Sequence, residues 1–202
     1  MRNLANLVLT SVVTTAVVTV LVGQQLNVKW LGGTGRIILC PAEEIDRNDV
    51  SINRGEIMAT KKSEFSRYQL CDGTVLYLDA NTQIRLSAYP DPVASQNTKL
   101  ELIQGRMIVD GLADVRTRNT TVSVTGAGCE IVHYSWLDKA DITPLVEAGC
   151  QIENFSGQLV AREISRLNTF DTTLETTSPF NPTSSSAASF YNWTGLKFEP
   201  LP

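Results

Sequence analysis

The chain has 202 residues, 43% of them hydrophobic, which suits one packed domain with additional segments. It carries 17 Lys and Arg against 21 Asp and Glu, a net charge of −4, and the basic residues are interspersed along the chain. Nucleic-acid-binding domains usually show a clustered basic patch, so the composition argues against nucleic acid as a partner.

An apolar segment begins the chain, because no charged residue occurs between Arg2 and Lys29. A helix needs about 20 residues to cross a bilayer, and residues 5–28 are long enough. A cleavable signal peptide needs two small residues before the cut, and the end of this run supplies only Gly23. We predict an uncleaved signal-anchor helix over 5–28 after a cytoplasmic stub at 1–4, with a cleaved signal peptide as the alternative.

One face of this predicted helix carries small residues at every fourth position. They are Ser11, Thr15, Thr19 and Gly23. Small residues at this spacing allow another membrane helix to approach closely, so the stripe predicts helix packing in the bilayer. The alternative is that a segment rich in Val, Thr and Ser produces the spacing by chance.

Residues 29–55 form a linker with a Gly-rich start, and alternation typical of strands begins at about Glu56. Asp-Gly and Gln-Gly pairs between the runs, including Gln104-Gly105, predict tight hairpin turns. Thr121–Thr125 alternates most clearly and predicts Val122 and Val124 inward. The predicted strands are 56–60, 67–71, 74–78, 83–87, 99–103, 106–109, 115–118, 121–125, 130–136, 142–146, 150–154 and 158–161. Many short strands without an amphipathic helix predict an all-β sandwich or roll over 56–171.

The last segment, 172–202, is rich in Ser, Thr, Pro and Asn, which favours an extended tail without its own core. It nevertheless contains several aromatic residues, namely Phe180, Phe190, Tyr191, Trp193 and Phe198. Exposed aromatic side chains often mark a docking segment. Docking on a partner and folding back onto the same domain remain equally open.

Four cysteines, Cys40, Cys71, Cys129 and Cys150, form an even set compatible with an oxidising compartment. A hairpin turn centred between residues 139 and 140 would place Cys129 directly opposite Cys150, near the separation that a disulfide needs. Cys40 and Cys71 would be the remaining pair. Four buried free thiols are the alternative.

No set of residues predicts catalysis, a metal or a cofactor. Ser87 with Lys99 or Lys139 is a faint match to the Ser-Lys pair of signal peptidases, but both lysines lie in polar surroundings. His133 is the only histidine, which precludes a histidine cluster. We interpret it as a strand residue with a satisfied ring nitrogen, and we predict a non-enzymatic protein without cofactors.

Four stretches, in this order and spacing, together resemble the FecR domain over about residues 62–169. The stretches are Asp72-Gly73-Thr74-Val75 with Leu78, Thr82 and Ile84, then Leu102–Met107, Val115–Gly126 and Leu145–Gly149. The resemblance implies an antiparallel β-sandwich or roll that serves as the periplasmic protein-binding domain of a bacterial envelope sensor. It implies no catalytic residues.

The sensors of this family also have a cytoplasmic region that contacts a sigma factor, and the stub at 1–4 is too short to supply one. The leading hypothesis is therefore a single-pass inner-membrane protein whose periplasmic domain is a scaffold or accessory subunit of an envelope assembly. Its expected partners are the bilayer and membrane or periplasmic proteins, in a homo- or hetero-oligomer. The alternatives are signalling through a separate regulator and a pilin-like filament subunit.

Overall fold

The computed structural model of the chain describes residues 26–33, 49–52, 55–70, 72–88, 97–126, 128–146, 150–154, 162–180, 182 and 187–197. The first strands are β1 (Leu26–Gly33), β2 (Asp49–Ile52), β3 (Ile57–Ala59), β4 (Ser66–Gln69), β5 (Val75–Leu78), β6 (Gln83–Ala88), β7 (Thr98–Asp110) and β8 (Ala113–Arg116). The following elements are β9 (Thr120–Val124), β10 (Cys129–Tyr134), β11 (Lys139–Pro144), β12 (Cys150–Asn154), β13 (Arg162–Glu163), β14 (Asn168–Asp171), β15 (Thr176–Pro179) and the helix α1 (Ala188–Thr194).

The strands form two sheets that share β7. The first sheet has the order β2-β1-β4-β5-β7-β10-β11-β14-β15, and the second has the order β3-β6-β7-β8-β9-β12-β13. The first half of β7 pairs with β6 and β8, and its second half pairs with β5 and β10. The all-β sandwich or roll that the alternation predicted is therefore the observed fold of the described strands.

Gly105 is the point at which β7 passes from one sheet to the other, with φ at +95°. A Cβ atom at this position would lie 2.6 Å from the Cα of Thr82, so only glycine fits. The predicted hairpin turn at Gln104-Gly105 is wrong, because the chain bends here and continues as one strand of 13 residues.

One strand pair departs from the predicted antiparallel arrangement, since β8 runs parallel to the first half of β7. The bend at Gly105 carries the end of β7 back over its beginning. Thr74 Oγ1 accordingly hydrogen-bonds the backbone of Leu112, while Asp72 contacts Thr98 at the start of β7. The short connection after β7 can therefore enter the second sheet alongside Thr98, which makes the pair parallel.

The main core lies between the two sheets. In β9, Val122 and Val124 are buried as the alternation predicted, and they lie in one apolar cluster with Met107 and Ile131 of the first sheet. A second, smaller cluster covers the opposite face of the first sheet, where Tyr77 and Ile108 meet residues of the C-terminal segment. The first sheet is thus covered on both faces, and α1 contributes to the outer cover.

The predicted membrane helix lies almost entirely outside the described residues. Its last three positions, 26–28, belong to β1, which pairs with β2 and β4, and the predicted linker 29–55 supplies the rest of β1 and all of β2. Among the residues that the structure describes, no helix is long and apolar enough to span a membrane. The stripe at Ser11, Thr15, Thr19 and Gly23 also falls outside those residues.

Cys129 and Cys150 form a disulfide, but the predicted reason for their proximity is wrong. In the hairpin of β10 and β11, Cys129 faces Pro144, and Cys150 lies on β12 of the other sheet, opposite Val124. The bond therefore joins the two sheets across the core, with the Cα atoms 6.7 Å apart. Cys40 and Cys71 lie outside the described residues.

This disulfide closes a loop with a sequence separation of 21. Its removal should therefore increase the conformational entropy of the unfolded chain and lower the stability of the folded protein. We expect a variant carrying both Cys129→Ala and Cys150→Ala to lose about 3 kcal/mol of unfolding free energy. Urea denaturation of the variant and the oxidised wild type measures the difference, with the reduced wild type as control. Equal midpoints for the variant and the oxidised protein would contradict the cross-sheet bond.

Candidate functional site

The C-terminal segment forms a strap across the outer face of the first sheet. We define the strap as residues 176–180 and 187–197, which include β15 and α1. The prediction of an extended tail is therefore wrong for these residues, because β15 pairs with β14 and α1 packs on the sheet. Phe198 lies outside the described residues.

Aromatic packing attaches α1 to the sheet. Phe190 is 1% exposed, and its ring centroid lies 5.5 Å from that of Phe65. Trp193 stands 5.4 Å from Phe65 and meets the edge of Tyr77 at 6.4 Å. A helix of seven residues without a side-chain N-cap is marginal alone, so these contacts stabilise it.

Tyr191 and Phe180, two more of the predicted docking residues, also fold inward. Tyr191 is buried, and the Phe180 ring meets its edge at 5.6 Å. The aromatic residues of the tail that the structure describes therefore serve the chain's own domain. Folding back, the alternative that the sequence left open, is the arrangement that the structure has.

A polar network lies beneath the strap. Glu130 on β10 is 3% exposed, and one of its carboxylate oxygens accepts a hydrogen bond of 2.5 Å from the Tyr191 hydroxyl. Arg106 Nε lies 3.4 Å from the same carboxylate, an ion pair without hydrogen-bond geometry. Arg106 also donates through Nη1 to Asp79 at 3.1 Å, and its guanidinium stands over the Tyr191 ring at 5.8 Å. Arg106 thus connects the turn after β5 with the helix of the strap.

Burial raises the pKa of Glu130 to about 7, although Arg106 and the Tyr191 hydrogen bond both lower it. Burial lowers the pKa of Arg106, but Glu130, Tyr191 and Asp79 outweigh it and the net direction is upward. The carboxyl group beneath the strap therefore changes its charge near neutral pH.

Two clefts meet at Arg106. The strap cleft has a volume of about 230 Å³, and its lining includes Glu130, Asp141, Phe180 and Tyr191. The end cleft has a volume of about 300 Å³ and lies at the end of the sandwich. Its lining consists of Asp79, Ala80, Asn81, Gln104, Gly105, Arg106, Val132, His133, Tyr134, Ser135 and Trp136.

Two residues considered from the sequence for catalysis or metal binding have structural partners. His133 is buried, and its Nδ1 lies 2.8 Å from the Leu102 carbonyl, which satisfies one ring nitrogen. Lys139 pairs with Asp171 at 2.7 Å and Asp141 at 3.3 Å. The hydrogen bond to Asp171 raises the pKa of Lys139, the opposite of what a general base requires.

Sequence reasoning did not single out Glu130 or Arg106. A glutamate one residue after a cysteine and before Ile131 is a local signal, because it places a carboxylate within an otherwise apolar stretch. Its partner Tyr191 is 61 residues away, so no local pattern could identify the pair. Among the described residues, no group of three or more His, Cys, Asp or Glu side chains is arranged to hold a metal ion.

Comparison with known proteins identifies the domain. The family model described as FecR protein matches residues 56–141, whereas the sequence resemblance extended over 62–169. No curated protein matches the chain.

Two crystal structures, each described as a proposed anti-sigma factor from Parabacteroides distasonis, are similar to this chain at 20% identity. One covers 62% of this chain and 59% of its own, with a TM-score of 0.47. The other covers 69% of this chain and 64% of its own, with a TM-score of 0.49. The matched part of this chain thus spans about three fifths of those proteins. It is the family match that identifies residues 56–141 of this chain as a FecR domain.

Proposed function

We propose that this chain is a non-enzymatic signalling protein of the bacterial envelope, in which the FecR domain binds a protein partner and a separate regulator produces the response. The observation that carries the proposal is the FecR match over residues 56–141. Domains of this family belong to envelope sensors. A signalling role would therefore give the domain of this chain the same use as in other members of the family. A scaffold role, the leading hypothesis from the sequence, would need only binding.

The proposal places the domain in the periplasm and an anchor in the inner membrane. Supporting this placement, the disulfide between Cys129 and Cys150 is of the kind that persists in oxidising compartments. Residues 5–25, which precede β1 and carry no charged side chain, supply a segment of the length that a bilayer requires. The expected partners are therefore membrane or periplasmic proteins.

The strap is the element suited to transmit binding to a regulator. Its helix has no side-chain N-cap and no charged residue in its first or last turn, so its position depends on Phe190, Trp193 and the Tyr191–Glu130 hydrogen bond. A partner that moves β10 or the turn after β5 would change this attachment through Glu130 or Arg106. Movement of a helix between two positions, and ordering or disordering of a segment, are known ways in which proteins switch between two states.

Deletion of residues 56–197 in the source organism, with 1–55 retained, tests the proposal. Signalling predicts that transcripts of a defined gene set change while membrane assemblies on native gels keep their size. Tyr191→Phe, which weakens the strap and leaves the sequence of residues 56–141 unchanged, should alter the transcripts of the same genes. Leu174→Ala, at an exposed position outside the strap, is the matched control. Unchanged transcripts with loss of an assembly would instead establish the scaffold role.

A further inference from the structure

The end cleft lies apart from the strap helix, and it has the features of a ligand site. One wall comes from the turn after β5 and the bend of β7, and the other comes from the hairpin tip between β10 and β11. Its volume of about 300 Å³ is at the lower end of the range for small-molecule pockets. A small ligand fits this space.

Planar polar side chains form the first wall. Asp79 and Arg106 pair at 3.1 Å, so their charges compensate each other and the wall does not select an anion or a cation. Asn81 is exposed, and the side-chain Nε2 of Gln104 lies 3.5 Å from the backbone carbonyl oxygen of Asn81. Carboxylate, amide and guanidinium groups together present both acceptors and donors in fixed planes. This combination matches neighbouring hydroxyl groups on a neutral ligand.

Buried hydroxyl groups fix the backbone of this wall at Asp79 and Arg106. Thr60 Oγ1 donates to the Asp79 carbonyl at 2.5 Å, and Thr82 Oγ1 donates to the Arg106 carbonyl at 2.9 Å. The Arg106 amide donates back to Thr82 Oγ1 at 3.1 Å. A backbone fixed before binding, together with the Asp79–Arg106 ion pair, reduces the conformational entropy that this part of the wall loses when a ligand arrives.

Trp136 forms the rim of the opposite wall and is 79% exposed. The hairpin tip is closed by a hydrogen bond of 2.9 Å from the Leu137 amide to the Tyr134 carbonyl. An indole exposed to this extent leaves a large apolar face in water unless a ligand covers it. Sugar rings have an apolar face of C–H groups and an edge of hydroxyl groups, which suits this pairing of an indole with planar polar side chains.

We propose that the end cleft binds a neutral pyranose sugar, with Trp136 as the stacking platform and Asn81, Gln104, Asp79 and Arg106 as the hydroxyl-binding groups. The sugar can be free or part of a glycan strand. The proposal does not depend on the signalling function, because a glycan ligand would serve a scaffold or a sensor equally.

Titration of the full chain with sugars tests the proposal, with the indole N–H signal of Trp136 observed by NMR in a detergent that contains no sugar. The probes are glucose, galactose, mannose, N-acetylglucosamine and β-1,4-linked oligomers of N-acetylglucosamine. We expect saturable binding of at least one probe and a loss of at least about tenfold in affinity on Trp136→Ala. Trp136→Phe should retain part of the affinity because it keeps an aromatic face. Tighter binding of the oligomers would identify a glycan strand as the ligand, and equal binding would identify a free sugar.

Leu137→Ala is the matched control, since Leu137 is 50% exposed on the same hairpin tip and does not line the cleft. Its affinity should stay within about twofold of the wild type. Absence of saturable binding to every probe would overturn the proposal. An equal loss of sugar affinity on Leu137→Ala would also overturn it. So would a result in which Trp136→Ala abolishes binding of a protein partner and leaves sugar binding unchanged. Thermal melting of each variant confirms that the comparison is between folded proteins.

Discussion

Gly105→Ala is expected to destabilise the protein by about 2–5 kcal/mol, from the left-handed backbone and from overpacking together. The added methyl group would lie 2.6 Å from both the Cα and the Oγ1 of Thr82, and the φ of +95° disfavours any L side chain. It would also displace the Thr82 hydroxyl that bonds the backbone of Arg106. Urea denaturation of the variant and the wild type measures the effect.

Gly73→Ala is the matched control, because Gly73 has a similar φ of +90° but nothing within 4 Å of an added Cβ. Gly73→Ala should lower the unfolding free energy only by the cost of placing alanine in the left-handed backbone conformation, about 1–2 kcal/mol. The difference between the variants therefore isolates the close approach of β7 to the turn after β5. Equal destabilisation by the two substitutions would contradict the sharp bend of β7 at Gly105.

Glu130→Gln is expected to change the pH dependence of stability. The Glu130 carboxyl has an ordinary pKa of 4.5 and a pKa of about 7 in the folded protein, with Arg106, Tyr191, Asp79 and Asp141 around it. Between these values the folded protein keeps a proton that the unfolded chain has released, so stability falls as the pH rises. The contribution is fully present below pH 4.5, is lost as the pH rises through about 7, and is on the order of 3 kcal/mol.

Glutamine does not titrate, so Glu130→Gln lacks this contribution at every pH. Between pH 4 and pH 8 the unfolding free energy of the wild type should therefore fall by about 3 kcal/mol relative to that of Glu130→Gln, because each pKa unit corresponds to about 1.36 kcal/mol. Tyr191→Phe removes a hydrogen bond that lowers the Glu130 pKa, so in that variant the fall should begin at the same pH but extend to higher pH. Denaturation curves across this pH range supply the measurement. Parallel profiles for the wild type and Glu130→Gln would show that the buried carboxyl does not control the pH response.

The sequence predicted the strands whose pattern is local. In β9 the alternation of Val122 and Val124 with polar residues follows directly from one buried face, and the structure confirms it. The bend of β7 was missed because Gln104-Gly105 is typical of a hairpin turn, and only the contact with Thr82 identifies it as a crossing between sheets. The short strand β14 pairs with β11, which lies far earlier in the chain, so its own sequence predicts little of its position.

The candidate site was less predictable than the fold. The aromatic residues of the tail could be recognised, but whether Phe190 packs inward depends on Phe65 and Tyr77, which lie far away in the sequence. The disulfide partners were predicted correctly from an incorrect hairpin, since Cys129 and Cys150 meet across the core between the sheets. Glu130 was missed because its environment is formed by Arg106 and Tyr191 together.

The central claim is that the domain does not end where the family match ends, and that the strap completes the cover of the first sheet. Hydrogen exchange of the α1 amides, residues 188–194, in the wild type and in Tyr191→Phe tests it most directly. A free helix of this length would exchange like an unstructured peptide. At pH 8, above the Glu130 pKa of about 7, the carboxylate is ionised and its hydrogen bond from Tyr191 is charge-assisted, worth about 1.5–3 kcal/mol. At that pH we predict marked protection of these amides in the wild type and a loss of at least about tenfold in Tyr191→Phe while β10 stays protected. Exchange of the wild-type amides at the unstructured rate beneath an intact sheet would contradict the claim.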